Sequence, residues 1–206
     1  MHELNLPSST VVNKILSKRV FEGRIKSGRK LLEDISRITF AYKLSPATIN
    51  IPSTKAVEEL HVYHLFLKSK KIPQKAISEL NKLIPYPILF CFIYEDDFCY
   101  GISLLHEQKL YFSAWNDAII FNFNDTNLES VYENIVKKFL QHVEPSSNIP
   151  LKELLEIDNK IIALKKEILS LSNKIKKEKQ FKKQLELSRL LKPKQQELEN
   201  LTKGIK

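Results

Sequence analysis

Glycine is scarce in this chain of 206 residues, and its scarcity excludes two common nucleotide sites. The four glycines are Gly23, Gly28, Gly101 and Gly204, and only the first two lie close together. A loop that wraps around phosphates needs several glycines within a few residues. The sequence therefore contains neither a P-loop nor a dinucleotide-binding fingerprint.

Long apolar runs and cysteines are also few. No stretch reaches the roughly 18 apolar residues of a membrane-spanning helix. The first residues, Met1-His2-Glu3-Leu4, lack the basic and apolar regions of a signal peptide. Cys91 and Cys99 are too few for a disulfide framework and fit a reducing compartment. These features predict a soluble, cytoplasmic protein with no membrane partner.

Positive charge is plentiful, and it is unevenly placed. The formal net charge is +9; residues 151–206 hold 15 basic and 8 acidic side chains, and the first 150 residues hold 18 and 16. Clustered cations favour a polyanion partner, because each phosphate contact releases a condensed counterion. We therefore predict two nucleic-acid-binding clusters, formed by Lys14, Lys18, Arg19, Arg24, Lys26, Arg29 and Lys30, and by Lys174, Lys176, Lys177, Lys179, Lys182 and Lys183.

A plain solvated surface is the competing interpretation of this charge. Lysine outnumbers arginine by 28 to 5, whereas bidentate recognition of phosphates and bases favours arginine. Charge alone therefore leaves both interpretations open.

Apolar periodicity predicts an α+β globular domain over residues 1–143. Val11, Val12, Ile15 and Leu16 indicate a short first helix, and Pro46 favours an irregular extended segment over residues 45–51. Further helices are expected over residues 74–83 and after an N-cap at Asp125 or Thr126. Strands are expected at residues 38–42, 57–67, 88–94, 99–105 and 110–115. We therefore predict a mixed or antiparallel sheet of about five strands, with helices mainly on one face.

A linker at residues 144–150 precedes a tail, residues 151–206, with a heptad-like apolar seam. The seam is interrupted at Glu178 and Lys182 and resumes out of phase at Leu187. The tail is therefore either one helix of about 50 residues or a hairpin that reverses near residues 176–180, with a slight preference for the hairpin. In either form the apolar stripe predicts docking to a protein partner or a second copy. The predicted interface comprises Ile157, Ile161, Leu164, Ile168, Leu171, Ile175 and Phe181.

Two patterns of chemically active residues are weak. Asp96 or Asp97 followed by Glu107 and Lys109 has the outline of a metal-dependent nuclease, in which carboxylates hold a divalent cation. The intervening strand would separate the aspartates from Glu107 by more than about 20 Å. His61 and His64 have odd spacing on a strand and point to opposite faces, and a turn at Asp96-Asp97 places the two cysteines on different faces as well. We therefore predict no metal site and no cofactor.

Several motifs together resemble a known family. They are Val12-Asn13-Lys14, Tyr42-Lys43-Leu44-Ser45-Pro46, Ile84-Pro85-Tyr86-Pro87-Ile88-Leu89-Phe90 and Lys177-Glu178-Lys179-Gln180-Phe181. In this order they resemble domain of unknown function 4391, a bacterial and archaeal family, over nearly the whole chain. Lys182 and Ser188 depart from the pattern, which favours asparagine at both positions.

The resemblance implies a genomic context but no reaction, since the family has no assigned activity. Similar proteins are encoded beside helicases and DNA methyltransferases in restriction-like, anti-phage loci. The leading hypothesis is therefore a non-catalytic accessory or adaptor subunit of a DNA-processing defence complex, with a helicase or methyltransferase subunit as its protein partner. The alternatives are the nuclease and a purely structural coiled-coil protein.

Overall fold

Six strands form one sheet in the computed structural model, which describes residues 4–105, 109–140 and 149–203. The strands follow one another across the sheet in chain order, and all neighbours are antiparallel except the parallel pair β3 and β4. The strands are β1 Val11–Leu16, β2 Ile35–Leu44, β3 Leu60–Leu67, β4 Ile88–Tyr94, β5 Asp97–Ser103 and β6 Leu110–Phe112. The predicted α+β class with a mixed sheet is confirmed, with six strands instead of about five.

Helices join and cover these strands. Parallel strands need a crossover connection, and the helix Gln74–Leu83 supplies it between β3 and β4. Two units emerge, residues 1–139 and residues 140–206. The helices are α1 Lys18–Glu22, α2 Gly28–Leu31, α3 Pro46–Ile49, α4 Gln74–Leu83 and α5 Leu128–Lys137 in the first unit, and α6 Leu151–Lys177 and α7 Phe181–Lys203 in the second.

One cluster of core residues in the first unit lies against one face of the sheet. Phe90 and Phe92 of β4 and Leu65 of β3 share this face, and each is at most 1% exposed. They pack in one cluster with Phe21 of α1, Leu32 just after α2, and Ala76, Ile77 and Leu80 of α4. The opposite face carries Tyr100 of β5, whose ring meets Phe121 edge to face. Because β4 is apolar on both faces, it occupies an interior position in the sheet, as its sequence indicates.

The first element is a strand, and the predicted helix at Val11–Leu16 is wrong. Five of its six residues are exposed, so no helical face is buried. Three of them are β-branched, which suits an extended edge strand. The segment pairs with β2, and a bulge near Asn13, whose φ is 47°, shifts the register between Val11 and Lys14.

The segment after β2 is a short helix, not the expected irregular extended chain. Pro46 is its first residue, where the missing amide costs no hydrogen bond. Ser45 N donates to Thr48 Oγ1 at 2.8 Å and closes a capping box. The restriction that Pro46 imposes on Ser45 is satisfied, because Ser45 is extended and only precedes the helix.

The β4–β5 turn lies one residue earlier than predicted, at Glu95-Asp96. A turn at Asp96-Asp97 would pair Cys91 with Ile102 and Cys99 with Tyr94. In the structure Cys91 pairs with Tyr100, and Cys99 pairs with Phe92. The pairing partner shifts by two residues along β5, so each side chain remains on the face of the sheet that was predicted for it. The cysteines lie on opposite faces, as expected, and burial raises the pKa of the Cys91 thiol to about 12.

The tail is an antiparallel helical hairpin, which confirms the reversal predicted near residues 176–180. Helix α6 ends at Lys177 and α7 begins at Phe181. Lys160 and Glu197 form an ion pair at 2.8 Å across the two helices. Pro193 lies inside α7, which continues past it. Among the described residues, no helix combines the length and apolar character needed to cross a bilayer.

Candidate nucleic-acid interface

Two short helices near the N-terminus form the scaffold of the first basic cluster. Phe21 of α1 and Ile25 after it are buried in the core and anchor this region. Ile25 O accepts a hydrogen bond from Gly28 N at 2.9 Å, which brings the start of α2 against the end of α1. A Cβ atom on Gly28 would lie 2.8 Å from Glu22 Cα and from Glu22 O, so only glycine permits this approach.

This scaffold exposes six of the seven cations that the sequence predicts for the first cluster. We call them the basic surface: Lys14 of β1, Arg19 of α1, Arg24, Lys26, Arg29 and Lys30. Lys18 is different, because its ammonium group donates to Ile35 O at 2.8 Å and its side chain is only half exposed. Lys18 therefore ties α1 to the start of β2 and is less available to a ligand.

A hollow of about 690 Å³ lies within this region, and one of the cations that line it, Lys68, is not among the residues predicted from the sequence. Lys68 lines it together with Arg29 and Lys30. Lys68 follows β3 and is placed by its backbone N–H, which donates to Asp34 O at 2.9 Å. The basic run Lys68, Lys70 and Lys71 was the available sequence signal, but only strand pairing shows which cluster Lys68 joins. Glu22 and Glu33 also line the hollow and offset part of its positive charge.

The second basic cluster occupies the turn of the hairpin. All six predicted lysines of this cluster are exposed: Lys174, Lys176, Lys177, Lys179, Lys182 and Lys183. Phe181 lies among them and is 78% exposed. We call residues 174–185 the hairpin tip. The structure therefore brings these seven side chains together at one end of the hairpin.

Most of the predicted partner interface is covered within the hairpin. Ile161 and Leu164 of α6 are buried, and Ile157, Ile168, Leu171 and Ile175 are half-buried. The facing helix α7 places Leu187, Leu191, Leu198 and Leu201 in a matching half-buried row. The seam thus has a partner in the same chain. Of the seven predicted interface residues, Phe181 is the exposed one.

A protein-family model matches nearly the whole chain. The family model described as Domain of unknown function (DUF4391) matches residues 4–198, which include both basic clusters. The chain belongs to the DUF4391 family. The resemblance expected from the sequence motifs is confirmed. No curated protein and no solved structure matches the chain.

Two of the DUF4391 motif residues, Lys43 and Tyr86, contribute to a partly buried polar cluster on the sheet. Lys43 of β2 and Glu59 form an ion pair at 2.6 Å, and His61 Nε2 lies 2.9 Å from Glu59 Oε2. Since an ionised carboxylate only accepts, His61 Nε2–H donates to it. Tyr86 and Phe40 flank the His61 ring at centroid distances of 4.8 and 4.6 Å.

Electrostatics in this cluster favour neutral His61 and ionised Glu59. Burial lowers the pKa of His61, and its hydrogen bond to Glu59 opposes this only in part. Burial would raise the pKa of Glu59, but hydrogen bonds from Lys43 and His61 outweigh it and the pKa is lowered. His61 Nδ1 is buried and has no hydrogen-bond partner among the described residues. The cluster therefore links β2, β3 and the segment before β4. His64 lies on the other face, against Tyr42.

The predicted nuclease residues of this DUF4391 chain do not assemble in the described regions. Asp97 begins β5 and pairs with Lys70 at 2.7 Å. Lys109 O accepts from Leu104 N beyond the other end of β5. Because Leu104 follows Asp97 by about seven residues at roughly 3.3 Å each, Lys109 lies far from Asp97. Asp96 is exposed in the turn, and Glu107 lies outside the described residues. Within those residues, no group of three His, Cys, Asp or Glu side chains could hold a metal ion.

Proposed function

We propose that this protein is a non-catalytic accessory subunit that binds the phosphate backbone of nucleic acids. The observation that carries the proposal is the basic surface: six exposed cations, five of them within twelve residues, on a scaffold anchored by buried side chains. An ordered scaffold lowers the entropic cost of placing these cations against phosphates. Three of the six are arginines, although the whole chain has only five. That enrichment suits phosphate contact better than solubility alone.

The wider role that we propose is membership of a restriction-like, anti-phage DNA-processing complex. This wider role rests on the neighbouring helicase and methyltransferase genes that the family resemblance implies. A helicase or methyltransferase subunit would then be the protein partner, with the hairpin as the docking arm. The covered seam restricts this docking to the outer surface of the hairpin, where Leu169 and Leu190 are exposed.

Salt-dependent binding tests the backbone contact. The measurement is the anisotropy of a labelled duplex of about 20 base pairs between about 50 and 200 mM salt, for the full chain and for the triple variant Arg19→Ala, Arg24→Ala, Arg29→Ala. Each lost phosphate contact should reduce the slope of log K against log salt by about 0.9. We expect the triple variant to bind more than about tenfold more weakly at low salt, with a slope smaller by about 2 to 3.

A matched control removes the same charge elsewhere. Lys55, Lys75 and Lys138 are exposed and lie outside both basic clusters. Replacing these three with alanine should leave the slope almost unchanged. Equal losses in the two variants would show that only net charge matters, and absent duplex binding would favour the purely structural role.

A further inference from the structure

The turn of the hairpin is held by a set of hydrogen bonds that orders its exposed aromatic residue. The Glu178 carboxylate accepts from Lys179 N and from Gln180 N, each at 2.9 Å. Gln184 lies in the first turn of α7, and its Nε2 donates to Glu178 O at 2.6 Å. Phe181 begins α7 directly after this turn. Its position is therefore set by the turn, even though its side chain is exposed.

An exposed phenylalanine among lysines combines two chemical properties. The ring offers a flat apolar surface that is 78% exposed, and the six lysines of the hairpin tip offer positive charge on both sides of it. Unpaired nucleotides present the complementary pair, namely a flat base and a phosphate. Paired bases of a duplex are stacked on each other and leave no free face for the ring.

We propose that the hairpin tip binds single-stranded nucleic acid, with Phe181 stacked on an unpaired base and the surrounding lysines on the flanking phosphates. This inference rests on the proposed function and assigns a strand preference to its second cluster. In the first unit, the one aromatic residue between Lys14 and Lys30 is Phe21, which is buried in the core and offers no ring to a base. The two clusters therefore differ in what they recognise: backbone alone at one, and backbone with a base at the other.

The small apolar area at the tip argues against a lipid surface as the occupant. Apart from Phe181, the tip exposes Leu185, at 44%, one turn further along α7. Helices that bind membranes through their surface present a broad apolar face. One ring with a partly exposed leucine is sufficient for one base.

Tryptophan fluorescence tests the stacking directly. Phe181→Trp places an indole at the tip, and Leu190→Trp is the matched control, because Leu190 is 58% exposed on the same helix but outside the tip. The signal of Trp115 is subtracted with the unmodified protein. A single-stranded oligonucleotide should quench the added indole of the Phe181→Trp variant and leave that of the Leu190→Trp variant unchanged.

Inorganic polyphosphate separates stacking from charge, because it carries phosphates without bases. We expect it to compete for binding without quenching the indole at position 181. Equal quenching by polyphosphate, or no quenching by the oligonucleotide, would overturn the proposal. A blue shift with phosphatidylserine vesicles but no response to the oligonucleotide would overturn it in favour of a lipid surface.

Affinities distinguish this proposal from the proposed function on which it rests. Since one base stacking on an aromatic side chain contributes about 1 to 3 kcal/mol, Phe181→Ala should weaken single-strand binding roughly 5- to 150-fold. Duplex binding and its salt slope should stay within about twofold. Equal single-strand affinities for Phe181→Ala and Leu190→Ala would refute the stacking while leaving duplex binding by the basic surface intact.

Discussion

Gly101 of β5 lies against two aromatic rings, which leave no room for a side chain at this position. A Cβ atom there would lie 2.9 Å from Phe92 Cε2 and 3.0 Å from Phe112 Cδ1. The rings of Phe92 and Phe112 are 5.9 Å apart and contact each other over the glycine. The missing side chain thus allows strands β4 and β6 to share one aromatic contact across β5.

Adding a methyl group at this position should therefore destabilise the protein. Gly101→Ala forces Phe92 or Phe112 to shift, and overpacking of this kind costs about 1–3 kcal/mol. Urea unfolding monitored by circular dichroism measures the loss. Gly23→Ala is the control, since its Cβ would meet Arg19 O at 3.7 Å, an ordinary contact. Equal stability of the two variants would show that the rings move without cost.

His64 makes the stability of the first unit depend on pH. Burial lowers its pKa from the ordinary value of 6.5, and the positive charge of Arg37 adds to this effect. The unfolded chain therefore binds a proton at a higher pH than the folded chain, and stability is lost as pH falls below about 6.5. The pKa of His61 is also lowered, because its ring is buried.

Replacing His64 with leucine should weaken this dependence. The urea midpoint of the unmodified protein should fall between about pH 7.5 and pH 5.5, and that of His64→Leu should fall less. Glu59 does not contribute in this window, because its lowered pKa affects stability only below about pH 4.5. A variant that loses as much stability as the unmodified protein would assign the effect to other groups.

At the scale of elements, apolar spacing predicted the interior of the sheet better than its edge. Residues 88–94 and 74–83 form the expected strand and helix, because the first is a short continuous apolar run and the second has a clear helical period. Val11–Leu16 has a spacing that fits a helix, but pairing with β2 decides in favour of a strand. This pairing joins residues 22 to 31 positions apart and cannot be deduced from local spacing.

Helix α5 shows how a cap can be assigned to the wrong residue within a polar run. The cap is Asn127, whose side chain accepts from Ser130 N at 2.9 Å. The sequence pattern predicts the cap at Asp125 or Thr126, and any of the three residue types can cap a helix. Asp125 instead accepts from Thr126 N.

Removing this acceptor should lower stability by a predictable amount. Asn127→Ala leaves Ser130 N without its partner and should cost about 1 kcal/mol. Asn127→Asp keeps an acceptor and adds a negative charge near the helix N-terminus, so it should be neutral or slightly stabilising. Thermal unfolding followed at 222 nm compares the three proteins. A loss in Asn127→Asp equal to that in Asn127→Ala would exclude the cap as the cause.

For the whole molecule, the sequence predicts the candidate interface only as two basic clusters, each formed by residues that lie close together along the chain. Charge runs identified the cations of both clusters, because each cluster is built from one continuous segment. The chain could not indicate that Lys18 turns inward to Ile35 O or that Lys68 joins the hollow, since both depend on strands from elsewhere. Likewise, the apolar seam predicted docking to a protein partner or a second copy, and in the structure α7 of the same chain covers most of that seam.

The two basic clusters belong to different units, so their contributions to binding should add. Contributions of independent sites to a binding free energy usually sum, and a fold-loss therefore multiplies. Lys176→Ala, Lys177→Ala and Lys182→Ala together should reduce the salt slope for a single strand by about 2, at roughly 0.7 for each contact. Combining these changes with the Arg19, Arg24 and Arg29 variant should give the product of the two losses. Affinity for a single strand of about 30 nucleotides, measured at several salt concentrations, tests this. A combined loss no larger than one of the separate losses would mean that only one cluster contacts the nucleic acid.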